Sequence, residues 1–70
     1  MKICKQRETK ELKTWCEEFV SDCEATTKKW LEVNCEKCIM KALHGNNVGM
    51  ATRDIAKDTY MMLLEKGELQ

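Results

Sequence analysis

The seventy-residue sequence has no proline and only three glycines, none of them before position 45. Those two residues are the strongest breakers of regular structure. Their absence from positions 1–44 argues against a turn-rich β architecture. Net charge is also absent, with 12 basic residues matched by 12 acidic ones, so no global field draws the chain to nucleic acid or an anionic membrane. There is one histidine, His44, and it falls beside Gly45 in a loop-like stretch. That leaves thiol-protease chemistry without a base and an orienting group around a cleft. Gly45-x-x-x-Gly49 lacks the Gly-Lys-Ser/Thr ending of a phosphate loop. No apolar run reaches the roughly 18–20 residues that span a bilayer. The start, Met1 to Arg7, has no apolar stretch of the secretory kind. Taken as the native start, it predicts a cytoplasmic chain with reduced thiols. Five cysteines is an odd number, which cannot pair fully within one chain.

What is present reads as helix. A hydrophobic share of 43% and a charged share of 34% fit helices with solvated faces. Leu12, Cys16, Phe19, Cys23, Thr26, Trp30 and Val33 recur at alternating spacings of four and three, a heptad-like seam. Trp15, Val20 and Leu31 widen the stripe. The register shifts beyond residue 33, where the apolar positions become Cys35, Cys38, Ile39, Ala42 and Leu43. A break near residues 25–27 would explain the shift, because threonine is a weak helix former and Thr27 could cap a helix starting at Lys28. Ser21 and Glu24 also match a capping box. The segment is therefore one long helix or two helices meeting near residue 25. Gly45 to Gly49 ends it, with Gly45 in the place of a helix C-terminal glycine. A C-terminal helix follows from about 48–52 to Lys66, with Thr52 as its cap and Gly67 as its stop. The expected fold is all-α, a small helical bundle. It forms one domain over residues 1–70, whose first seven residues make a basic, partly ordered end.

The cysteines carry the sharpest question. Cys35-x-x-Cys38 could supply two zinc ligands, but a closed structural site needs four. On a continuous helix His44 lies about 120° from Cys38 and about 180° from Cys35, so it cannot complete them. If the chain turns near Thr26, Cys16 falls opposite Cys35 and Cys38. A fourth ligand would then come from Cys23, His44 or a partner chain. Core packing accounts equally for cysteines on a seam, since cysteine is among the most buried residue types. The reading adopted is therefore no cofactor, with zinc on Cys16, Cys35 and Cys38 as the alternative. Redox catalysis is disfavoured: no strand precedes the pair, and Glu32 and Glu36 would raise the thiol pKa values.

Charge is distributed unevenly. Lys2, Lys5, Arg7, Lys10 and Lys13 against Glu8 and Glu11 make the first fourteen residues the one electropositive stretch. Residues 49–70, ending in Leu-Leu-Glu-Lys-Gly-Glu-Leu, superficially resemble the recognition helix of winged-helix regulators. That resemblance implies DNA contacts from Arg53 and Lys57. The segment is net acidic, however, which opposes phosphate binding. By subtraction the chain is expected to be a non-enzymatic interaction or regulatory protein presenting a helical face to another protein. Trp15, Phe19, Trp30, Tyr60, Met61 and Leu64 are the candidate contacts. An unbroken first helix would be a rod of about 50 Å that one short chain cannot cover, so a homodimer is expected. A DNA-binding regulator and a zinc-stabilised helical module are the rival classes.

Overall fold

A computed structural model describes residues 1–7, 13–16 and 23–70. Its elements are strand β1 (Ile3–Lys5), strand β2 (Ala25–Thr27), a single 3-10 turn (Trp30–Glu32), helix α1 (Glu36–His44) and helix α2 (Met50–Lys66). The all-α bundle is thus overturned: two helices share the molecule with a two-stranded parallel sheet. The seam has a different origin. Thr26 lies in β2, Trp30 in the 3-10 turn and Val33 in extended backbone, so neither the long helix nor the helix pair exists over residues 23–35. Leu12, Phe19, Val20 and Ser21 lie outside the described residues.

The sheet follows from β-branched residues. Ile3, Thr26 and Thr27 are stiff at χ1 and sit better on a pleated surface than in a helix. Their strands pair in register Ile3↔Ala25, Cys4↔Thr26 and Lys5↔Thr27. On its other side, the chain leaving β1 meets residues 13–15 antiparallel. Gln6 bridges Thr14, the Trp15 N–H donates to the Lys5 carbonyl at 2.9 Å, and the Arg7 N–H donates to Lys13 at 3.0 Å. At the near end of β1, the Asn34 and Cys35 N–H groups both donate to the Ile3 carbonyl at 3.1 Å. The Asn34 side chain accepts from the Ile3 N–H and donates to the Met1 carbonyl. β1 is thereby held on every side by backbone that is far away in sequence.

Thr27 does act as a cap, but of a turn. Its hydroxyl accepts from the Lys29 N–H at 3.1 Å and donates to Glu32 at 2.6 Å, a local bond that starts the 3-10 turn instead of a helix. Helix α1 begins only at Glu36, after Cys35 as its N-cap. It closes through the Gly45 N–H on the Lys41 carbonyl, and a Cβ at Gly45 would collide with that same carbonyl oxygen. The left-handed residue in this loop is Asn47, at φ 60°. Helix α2 starts after Gly49, not Thr52, and ends in a Schellman motif. Gly67 has φ 66°, its N–H bonds Leu64, and the Glu68 N–H bonds Leu63.

The core gathers Cys4, Trp30, Val33, Cys35, Cys38, Ile39, Ala42, Ala56 and Leu63. The buried stripe of α2 is Ala56, Thr59 and Leu63, with Ile55 and Leu64 left exposed. Thr59 is fully buried because its hydroxyl donates to the Ile55 carbonyl at 2.8 Å. No helix of the described residues is long and apolar enough to cross a membrane.

Candidate metal centre

Four sulfurs from three stretches of chain converge. The Sγ atoms of Cys4, Cys16, Cys35 and Cys38 all lie within 4.8 Å of one another, and Cys16 Sγ approaches Cys4 Sγ at 3.9 Å. A tetrahedral thiolate site with metal–sulfur bonds of 2.3 Å has sulfur–sulfur edges of about 3.8 Å. The cluster is therefore at the size an ion of that kind requires. Cys4, Cys35 and Cys38 are buried and Cys16 is half-buried, and none forms a disulfide. The four residues could hold a metal ion.

Each ligand is delivered by a distinct local device. Cys4 is the central residue of β1, beside Thr26 of β2. Cys16 arrives two residues beyond the Gln6–Thr14 bridge, on the antiparallel side of β1. Cys35 and Cys38 bracket the start of α1, at its N-cap and in its first turn. That placement differs from a pair inside a helix. The N-cap and the third helical residue lie at the helix end, where the Glu36 N–H is taken by the Gln70 carbonyl at 3.1 Å. The Cys35 N–H is itself occupied by the Ile3 carbonyl, which ties the helix start to β1.

The surrounding hydrogen bonds suit negative sulfur. The Lys5 backbone N–H donates to the Cys38 sulfur, and the Thr14 hydroxyl lies 3.0 Å from Cys16 Sγ. Thr14 is fully buried. In the metal-free state burial dominates. It pushes the Cys38 thiol up to about 12, against the opposing Lys5 N–H and with the help of Cys35 and Cys16. Burial likewise raises Cys4, reinforced by hydrogen bonds with Cys35 and Cys23. The buried Cys4 and Cys38 thiols stay protonated until a cation compensates their charge, so a metal must displace protons and its affinity falls as pH falls.

The aromatic residues line the far side of this region. Trp15 and Trp30 meet edge to face, with centroids 5.3 Å apart and planes at 64°. Lys5 Nζ lies 5.3 Å from the Trp30 centroid and the Arg7 guanidinium 5.0 Å from that of Trp15. Lys5 is nearly sealed from solvent, and its ammonium donates to the Gln6 carbonyl at 3.0 Å. Alternation along β1 explains the arrangement, since Cys4 and Lys5 point to opposite faces.

The structure brings the sequence-derived candidates Cys16, Cys35 and Cys38 together, but by another route. Strand pairing with β1, not a helical hairpin, carries Cys16 to the pair. The fourth sulfur is Cys4, which spacing did not single out. One signal for it was available: a cysteine followed by lysine in a short β-compatible run, in a chain with an unpaired cysteine left over. His44 stands exposed at the far end of α1 and lines, with Cys16, Lys37, Met40 and Lys41, an open groove of about 560 Å³. Of the interaction candidates, Trp30 is buried, Trp15 and Tyr60 are partly buried, and Met61 and Leu64 are each 54% exposed. Phe19 lies outside the described residues. Arg53 and Lys57 are exposed on α2, and the Arg53 guanidinium donates to the Gly45 carbonyl at 3.1 Å. Comparison with protein-family models, curated proteins and solved structures finds no match to this chain.

Proposed function

We propose that the chain is a non-enzymatic, zinc-stabilised module in which Cys4, Cys16, Cys35 and Cys38 bind one ion. The observation that carries this reading is the mutual approach of the four sulfurs within 4.8 Å, three of them buried. Four thiolates close a tetrahedral site and leave no position for substrate, which is the mark of a structural ion. Zinc and iron both take four sulfurs in this geometry, and zinc needs no redox partner. Such thiols persist as ligands in a reducing compartment, in keeping with a cytoplasmic location. Native mass spectrometry of the reduced protein is expected to show one zinc per chain, lost on acidification. A folded chain that binds neither zinc nor iron would overturn the proposal, and a coloured, iron-loaded protein would replace the metal.

A second reading concerns the surface. Met61 and Leu64 sit three residues apart on α2, each 54% exposed, which supports docking against another protein or a second copy. Light scattering is expected to show a dimer that Leu64→Ser converts to monomer. A wild-type monomer at high concentration sinks the self-association.

A further inference from the structure

Cys23 is the sulfur that the four-ligand site does not use, yet it belongs to the same cluster. Its thiol is hydrogen-bonded with that of Cys4 and lies 3.9 Å from the Thr14 hydroxyl, which in turn contacts Cys16. The topology makes this contact: Cys23 lies two residues before β2, and β2 runs parallel to β1 with Thr26 beside Cys4. Cys23 is half-buried, whereas Cys4, Cys35 and Cys38 are almost wholly enclosed. When four sulfurs hold an ion, the fifth remains a thiol in contact with a ligand and nearer to solvent.

We propose that Cys23 is an oxidation site whose disulfide with Cys4 releases the metal. This inference rests on the zinc reading, because the bound ion keeps Cys4 as the thiolate that the second step needs. Hydrogen peroxide oxidises the Cys23 thiol to sulfenic acid: sulfur gains an S–O bond, the peroxide O–O bond breaks, and one water leaves. The Cys4 thiolate then attacks the Cys23 sulfur, forming the S–S bond and expelling hydroxide. Two electrons pass from the two sulfurs to the peroxide. The ion, left on Cys16, Cys35 and Cys38, loses a quarter of its donors and the closed geometry that excluded water.

The test treats the reduced, zinc-loaded protein with hydrogen peroxide. Released zinc is followed with a chromogenic chelator, and disulfides are mapped by fragmentation mass spectrometry. The wild type is expected to release zinc in step with a Cys4–Cys23 disulfide, and Cys23→Ser to release it about tenfold more slowly. Cys23→Ala is run beside it, and the zinc content before oxidation reports whether each variant has folded. Zinc release from both variants at the wild-type rate overturns the proposal, as does a disulfide joining Cys35 to Cys38 instead. Failure of the zinc reading looks different: the untreated protein then carries no zinc, whereas failure of this inference shows as zinc-loaded protein that releases its ion with no Cys4–Cys23 disulfide in the map.

Discussion

Helices α1 and α2 bury Ile39, Ala42, Ala56, Thr59 and Leu63 and end in recognisable glycine stops, whereas residues 1–7, 13–16 and 23–35 have no glycine stop and, besides cysteines, bury only Trp30 and Val33 as apolar core. Their strands are three residues long, their backbone bonds are scattered, and their most enclosed side chains include cysteines and a lysine. In the helical part, order comes from hydrogen bonds between near neighbours and from apolar burial. In the thiol-bearing part, the bonds that join β1 to Thr27, Asn34 and Cys35 close loops of more than twenty residues, and loop closure costs entropy before any contact offsets it. A metal held by sulfurs from all three segments, as proposed above, would supply what that part lacks. A domain this small has little core to spare, which makes the contrast sharper.

The comparison can be broken or sharpened by experiment. Stripping zinc with a strong chelator should have the largest effect, since structural zinc contributes on the order of 10 kcal/mol of apparent folding free energy. Hydrogen exchange is expected to lose protection first in residues 3–7 and 25–35, with part of α2 persisting as fraying helix. Unchanged protection would mean that the strands stand without the ion. Ile39→Ala, in the fully buried centre of α1, should cost about 2–5 kcal/mol in denaturant titration of the zinc-loaded protein. A negligible cost would place the whole stability in the metal site.

Thr14→Val keeps the shape and removes the hydroxyl beside Cys16, so zinc affinity should fall about 10–100-fold in chelator competition. An unchanged affinity would show that the hydroxyl contact does nothing for the ion. The smallest effect belongs to the far end of the helical part. Gly67→Ala forces a side chain into left-handed backbone at φ 66°, at a cost of about 1–2 kcal/mol in thermal melts and with no change in zinc affinity. A loss of zinc binding in that variant would join the two regions that the comparison separates.

Much of the helical part was legible. The stop at Gly67, the loop from Gly45 to Gly49 and a helix through Ile55 and Leu63 all follow from rules that act within a few residues. The region before residue 35 misled for a specific reason. Cys16, Cys23, Thr26 and Trp30 fall at helical spacing, and nothing local distinguishes a seam of core residues from ligands and strand residues spaced the same way. The lack of glycine and proline pointed the same way. Turns here are instead made by Thr27 with Lys29 and by the extended backbone around Asn34. The Cys35–Cys38 pair was legible as half a site, but its true position, at the start of a helix and not within one, depends on the Cys35 N–H being claimed by Ile3.

Residue types and short spacings were enough to establish a C-terminal helix and its end, and to raise Cys35–Cys38 as an alternative zinc pair, because helical hydrogen bonds and turn conformations are decided between residues three or four apart. Which sulfurs complete the pair was decided by the fold alone. Cys4 and Cys16 reach Cys35 and Cys38 through a parallel strand register and an antiparallel bridge, contacts between residues 22 and 8 positions apart. No local pattern carries that information, because the favourable energy of the site exists only once all four sulfurs have met.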